Sequence, residues 1–258
     1  MDILFLGTCA CDYSPLLETI HKNTFDKDAR RSSCALVGGR YLIDCGEHCL
    51  EELRIAKINP AQITDIFVTH LHSDHYNKEN IRHIASASDR VLRVWVRFDA
   101  KVPDIPNVEW KYMQQGTQYS VDENTAVTGL LANHDANAYP QHILMETNGK
   151  KLFYALDGAW FLNETYYALK NTQLDFLVLD CTCGDYEGDY RIGEHNTVPM
   201  IRLMLPSLKK WGAIAENTQV YVSHLAPSLH KSHEETVALF EKDGVHVAYD
   251  GLLVCLHS

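Results

Sequence analysis

The sequence predicts an α/β protein with helices layered around sheets. Two patterns carry this reading: short apolar runs rich in β-branched and aromatic residues alternate with segments of helical period, and the second half of the chain echoes the first. A third feature, three histidines and an aspartate gathered in His70-Leu-His72-Ser-Asp74-His75 directly behind an apolar run, places chemistry at a strand end.

Strand signals fall in order at 3–6, 41–43, 66–68, 91–96, 126–131, 142–146, 152–156, 176–179, 220–222, 245–248 and 252–256. Helical periodicity marks 47–56, 78–86, 161–171, 197–211 and 232–242. The last of these opens with Ser232-His-Glu-Glu235, the spacing at which a serine and a glutamate satisfy each other's free backbone N–H groups. Within 197–211, Pro199 sits near the first turn, where proline is tolerated, whereas Pro206 predicts a kink or an early end.

The internal echo has two parts. The segment from Gly39 through Leu-Ile-Asp44 to Gly46 parallels the segment from Gly149 through Ala-Leu-Asp157 to Gly158. Asp65-Ile-Phe-Val-Thr-His70 likewise parallels Gln219-Val-Tyr-Val-Ser-His224. Two matches in the same order predict two related halves, with His70 and His224 converging at their interface. The chain has 258 residues, 46% of them hydrophobic, and contains no linker-like tract. It reads as a single domain, 1–258, built of two pseudo-symmetric halves.

Composition narrows the function. A net charge of −11 lacks the clustered Lys and Arg that displace counterions from a polyanion, which argues against a large nucleic acid as partner. The first apolar run is too short for a signal peptide and has no basic leader, and no apolar stretch is long enough to cross a bilayer. A cytoplasmic location with no membrane partner is therefore expected, and with it eight free cysteines rather than disulfides. Neither Cys9-Ala-Cys11 nor Cys181-Thr-Cys183 has the C-x-x-C spacing of a zinc site. Whether Cys9, Cys11 and His21 form a further metal site stays open at this point.

The histidine cluster is the strongest chemical signal. A strand ahead of it would deliver His70 and His72 to one side, because side chains alternate along a strand, and the following turn would present Asp74 and His75 from another direction. Imidazole and carboxylate together suit Zn²⁺, Mn²⁺ or Fe better than hard, all-oxygen ions.

These residues resemble the metallo-β-lactamase superfamily, whose H-x-H-x-D-H motif is matched by His70, His72, Asp74 and His75. The resemblance implies a four-layer αβ/βα sandwich and two divalent transition-metal ions, Mn²⁺ or Zn²⁺, with Fe as a third choice. It also implies a first site of His70, His72, His134 and Asp157, and a second of Asp74, His75, Asp157 and His224, with Asp157 bridging. Two ions roughly 3.5–4 Å apart can share a hydroxide and grip a substrate oxygen from both sides.

Further residues resemble the phosphodiesterase branch of that superfamily, which includes the ribonuclease Z family and, more closely, the phosphoribosyl 1,2-cyclic phosphate phosphodiesterases of carbon–phosphorus bond cleavage. They are Arg30-Arg31-Ser32-Ser33-Cys34, the Asp44-Cys-Gly46-Glu47 run, Asp180-Cys-Thr182 and Glu194-His195-Asn196-Thr197. Glu194 and Asn196 stand where that branch has Gly and Ser. The resemblance implies hydrolysis of a small phosphodiester, cyclic ones included. Asp74 would bind the second ion and accept a proton, and His195 would contact phosphate and protonate the leaving oxygen. Asp180 would orient His195, Arg30 or Arg31 would hold phosphate, and the protein would be a homodimer. The alternatives are a ribonuclease Z-like RNA-processing endonuclease, a lactone or thioester hydrolase, and a metal-binding protein without turnover.

Overall fold

The structure, a computed structural model, describes residues 1–19 and 23–255. The chain runs through β1 (Asp2–Gly7), α1 (Leu16–Thr19), β2 (Cys34–Val37), β3 (Tyr41–Ile43), α2 (Cys49–Ile55), β4 (Asp65–Phe67), α3 (Lys78–Ser86), β5 (Leu92–Arg97), β6 (Val108–Met113) and β7 (Gln118–Asp122). It continues through β8 (Thr125–Leu131), β9 (Gln141–Thr147), β10 (Lys150–Ala155), α4 (Asn163–Ala168), β11 (Leu174–Asp180), α5 (Val198–Lys210), β12 (Ile214–Ser223), α6 (His233–Phe240), β13 (Val245–Val247) and β14 (Leu252–Cys255).

The strands form two seven-stranded sheets, in the orders β14-β1-β2-β3-β4-β5-β6 and β13-β12-β11-β10-β9-β8-β7. Alternation along each strand sorts side chains into layers. Ile3 and Phe5 of β1, Leu152 and Tyr154 of β10, and Phe176 and Val178 of β11 meet in one core between the sheets. The intervening Phe153, Leu177 and Val222 face outward onto α5 and α6, where Ile201, Leu208 and Phe240 cover them. On the other sheet, Leu36, Leu42 and Ile66 are covered by Leu53 of α2 and by Ile81 and Ile84 of α3. The result is four layers, helix–sheet–sheet–helix. β3 pairs parallel with β4, and β10, β11 and β12 run parallel in the second sheet, so their C-terminal ends gather along common edges. Crevices outside such ends are where open α/β sheets bind ligands.

Several expectations need correction. β4 stops at Phe67, so a loop and not a strand places His70 and His72. α5 runs through Pro206 to Lys210. Pro206 and Arg202, whose carbonyl it leaves without a helical donor, are both exposed residues of α5. β2, β6 and β7 were not foreseen: β2 is only four residues long, β6 interrupts its apolar pattern with Glu109 and Lys111, and β7 is a polar edge strand. The foreseen cap of α6 is present, with Glu235 N donating to Ser232 Oγ and Ser232 N donating to Glu235 Oε2. His21 and residue 256 lie outside the described residues. No helix among the described residues is long and apolar enough to cross a membrane.

Phe176 is fully buried and stacks on Tyr221 at 4.9 Å between ring centroids. Phe176→Ala is expected to destabilise the fold by about 3–5 kcal/mol in urea unfolding, through lost burial plus the cavity left behind. A loss below about 1 kcal/mol would contradict the two-sheet core.

Candidate metal centre

Five strand ends and one hairpin supply the site. Asp44 follows β3, the loop 68–77 follows β4, His134 follows β8, Asp157 follows β10, Asp180 ends β11 and His224 follows β12. Asp44, Asp157 and His224 all have positive φ, 65°, 49° and 58°. This left-handed conformation is uncommon for residues with a Cβ. At three strand ends it turns the chain sharply where a functional side chain leaves the sheet.

The donor atoms fall into two groups. In one, His70 Nε2 lies 3.0 Å from His72 Nδ1, and His134 Nε2 lies 3.2 Å from the same atom. Asp157 Oδ1 lies 3.8 Å from His70 Nε2 and 3.7 Å from His134 Nε2. In the other, His75 Nε2 and His224 Nε2 are 3.1 Å apart. Asp74 Oδ2 lies 3.3 and 3.4 Å from them, and Asp157 Oδ2 lies 2.9 and 3.1 Å from them. The structure thus brings together His70, His72, Asp74, His75, His134, Asp157 and His224, with Asp157 turning one oxygen to each group. Ligands about 2.1 Å from one tetrahedral ion sit roughly 3.4 Å apart, the spacing seen in both groups.

The fit to cations also rests on charge. Asp44, Asp74, Asp157 and Asp180 are all buried. Among the described residues, the ionic partners of these carboxylates are imidazoles and none is Lys or Arg. Asp157 Oδ2 is enclosed and accepts no well-formed hydrogen bond. Burial works against its charge, yet the His224, His75 and His70 imidazoles hold it well below the usual carboxylate range. Burial likewise opposes a charged His224, but Asp157, Asp180 and Asp74 push it up to about 10. A buried negative nest of this kind is completed by bound divalent cations.

A second ring of residues fixes the imidazoles. His75 Nδ1 meets Asp44 Oδ2 at 2.7 Å, and Asp44 accepts from Thr69 N at 2.7 Å. His224 Nδ1 meets Thr182 Oγ1 at 2.7 Å, and that hydroxyl donates to Asp180 Oδ2 at 2.9 Å. Such contacts orient metal-binding histidines and set which ring nitrogen is free. Asp44 and Thr182 stood inside quoted motifs without an assigned role; Asp44 occupies the place in the first half that Asp157 occupies in the second.

His195 lies between the groups. Its ring stacks on His224 at 5.5 Å and meets His134 edge-on at 5.1 Å, while its Nδ1 contacts Asp180 Oδ2 at 2.9 Å. Burial resists protonation of His195, but Asp180 outweighs it and raises the imidazole above its ordinary value. Glu194 Oε2 sits 3.7 Å from His134 Nδ1 with its side chain half exposed.

Arg30 and Arg31 contact none of these donor atoms among the described residues. Arg30 is buried and donates to Thr8 Oγ1 and the Ala248 carbonyl, both at 2.6 Å, with His233 Nδ1 at 3.0 Å. Arg31 is buried with Glu51 at 3.2 Å and Asp250 at 4.0 Å. Both are held by protein partners, and Arg30 also lines a cavity with Leu225 and His230. Cys9 is buried and Cys11 exposed, and with His21 outside the described residues nothing joins them into a site.

Fold and site together define a four-layer metallohydrolase scaffold with a two-part histidine–carboxylate nest between its sheets. The chain belongs to the β-lactamase superfamily: residues 39–246 match the family described as the beta-lactamase superfamily domain. Ribonuclease Z of Methanothermobacter thermautotrophicus is 36% identical over 77 residues, 29% of this chain and 21% of that protein. Zinc phosphodiesterase ELAC protein 1 of Bos taurus is 38% identical over 80 residues, 30% of this chain and 18% of that protein. The match thus spans about a fifth of the length of these curated relatives. In structure, the metallo-β-lactamase fold protein YhfI of Bacillus subtilis superposes with a TM-score of 0.74 at 12% identity, covering 98% of each chain. The short form of human tRNase Z gives 0.70 at 17% identity, covering 100% of each. At these identities the likeness is one of fold, the metallo-β-lactamase sandwich.

Two outcomes follow. Asp157→Ala is expected to abolish the rise in Tm that added Zn²⁺ or Mn²⁺ gives the wild type, a stabilisation of about 2.7 kcal/mol at a hundredfold excess over Kd. An undiminished metal-dependent shift would remove Asp157 from the site. Arg30→Met is expected to cost about 3 kcal/mol or more of stability while leaving KM for any substrate unchanged, because it strips a charged donor from buried acceptors. A raised KM without destabilisation would return Arg30 to substrate binding.

Proposed function

We propose that this protein is a phosphodiesterase dependent on two divalent metal ions, hydrolysing a small phosphodiester, cyclic ones included. One observation carries the reading: His195 sits between the two donor groups with its Nδ1 held by Asp180, leaving Nε2 as the nitrogen available to a substrate. The matches to ribonuclease Z and zinc phosphodiesterase ELAC protein 1 support phosphodiester chemistry.

In this reading His70, His72, His134 and Asp157 hold one ion, and Asp74, His75, His224 and Asp157 hold the other. Zn²⁺ and Mn²⁺ are the favoured occupants, with Fe accepting the same donors. When bound, such ions supply Lewis acidity and an activated water near neutral pH. Asp74 takes a proton from the attacking water. His195, protonated through its contact with Asp180, donates from Nε2 to the departing oxygen, and the Asp180 carboxylate compensates the imidazolium charge. Residues 1–258 act as one domain of two related halves, in the cytoplasm and as a homodimer.

The test varies the leaving group. With a poorly departing alkoxide, His195→Ala is expected to lower kcat about 10²–10⁴-fold, the range for losing a general acid, and Asp180→Asn should follow in the same direction. With bis-p-nitrophenyl phosphate, whose leaving group needs little protonation, the loss should be much smaller. Equal losses on both substrates would overturn the acid role of His195. A ribonuclease Z-like activity, the second reading, is favoured by the curated relatives and would show as endonucleolytic cleavage at the 3′ side of precursor tRNA. Turnover of aryl lactones or thioesters in preference to any phosphodiester would overturn both.

A further inference from the structure

A second group of metal-type side chains lies on the outer face of the first sheet, under α2. Cys34 opens β2, Cys45 lies two residues beyond β3, and Cys49 and Glu52 sit one turn apart on α2. All four are 0% exposed. The sulfurs of Cys34 and Cys49 and a carboxylate oxygen of Glu52 lie within 4.8 Å of one another. Cys45 is buried in the same cluster as Cys34 and Cys49, but its sulfur is not one of the donors that lie within this distance of one another.

Glu52 is the informative member. Both of its carboxylate oxygens are enclosed and find no hydrogen-bond partner. Burial pushes Glu52 well above the usual carboxylate range, so without a cation it stays a neutral acid, and a bound cation would let it ionise. Among the described residues no Lys or Arg forms an ion pair with Glu52; neighbouring Arg31 contacts Glu51 instead. The space is kept open by Gly7, where a Cβ would lie 2.4 Å from Glu52 Oε1. No ion pair among the described residues and no well-formed hydrogen bond lets this carboxyl ionise.

We propose that Cys34, Cys45, Cys49 and Glu52 form a mononuclear structural site for a thiolate-binding divalent cation, zinc by chemistry, separate from the histidine–carboxylate nest. Three sulfurs and one oxygen are a soft donor set that nitrogen- and oxygen-loving ions do not favour. Zn–S bonds of about 2.3 Å place tetrahedral ligands roughly 3.8 Å apart, so small side-chain rotations close the group onto an ion. Binding is coordination with loss of the thiol protons to solvent; no electron is transferred. The ion would pin the start of α2 to β2 and to the end of β3. Asp44, the residue before Cys45, gives its carbonyl to Cys34 Sγ at 3.3 Å and its carboxylate to His75, so the site would brace the support of that imidazole.

The test reads metal directly, without activity. Full-length protein purified without chelator from zinc-supplied cells should carry about three zinc ions per chain by elemental analysis, and Cys49→Ser about two. Reconstitution with Co²⁺ should give the wild type an intense near-ultraviolet sulfur-to-cobalt band, which the sulfur-free nest cannot produce. The band should vanish in Cys49→Ser and persist in a His72→Ala/His134→Ala variant. Should Cys49→Ser fail to fold, Glu52→Gln, of equal size but uncharged, should still lower the zinc count by about one. A wild type with two ions or fewer and no sulfur band, or a band that survives Cys49→Ser, would overturn the proposal. Because no phosphodiester is involved, a failed activity assay leaves this result untouched.

Discussion

A carboxylate sealed from water must have positive charge beside it, and Asp157 is the residue on which this structure turns. It sits at the end of β10 in a left-handed conformation, with one oxygen toward His70 and His134 and the other toward His75 and His224. Asp74 and Asp180 add two more buried negative charges within reach of the same imidazoles. Neutral imidazoles cannot balance these acids, and no arginine or lysine among the described residues does so. His75 and His224 are accordingly driven to hold protons, burial notwithstanding. A divalent cation bound among these donors would have to displace those protons.

The second layer solves one problem twice. Asp44 ends β3 and Asp180 ends β11; each is fully buried, each binds a threonine hydroxyl, and each fixes an imidazole through Nδ1. Thr69 and Thr182 act as the hinges of these arrangements, since each hydroxyl also touches a histidine ring nitrogen. The second sheet adds His195 to this pattern, which is why Asp180 contacts two imidazoles where Asp44 contacts one. The supports of His224 and of His195 thereby share a single carboxylate.

How much of this could be read from the chain depends on locality. His70, His72, Asp74 and His75 announce themselves because four donors fall in six residues, while His134, Asp157 and His224 were reached through the resemblance and the repeated strand-end pattern. Long buried strands such as β10 and β11 were legible because both faces are covered, giving unbroken apolar runs. Edge strands β6 and β7 were not, because a solvated edge tolerates charge and polarity. The surroundings of Arg30 and Arg31 follow from no local pattern: their acceptors, the Ala248 carbonyl and Asp250, come from the far end of the chain. Pro206 does not end α5, and that it falls on the exposed face of the helix is decided by tertiary packing.

The rim of the nest bears on what can enter it. His70, His75 and His224 form a buried floor, whereas the His72 side chain is 41% exposed and marks the open edge. Two carboxylates stand at that edge: Asp135, 3.5 Å from His72 Nε2, and Glu194, 3.7 Å from His134 Nδ1. Bound cations offset the charge of the floor but not that of a solvated rim, and the chain as a whole carries a net charge of −11. A long polyanion crossing this edge would bring successive phosphates past Asp135 and Glu194 at a separation where salt screening is incomplete. A compact ester with a single phosphoryl charge presents that charge to the cations and nothing to the rim. Asp135 and Glu194 thus give the open edge of the nest a negative rim, against which a chain of phosphates would meet more repulsion than a single phosphoryl group.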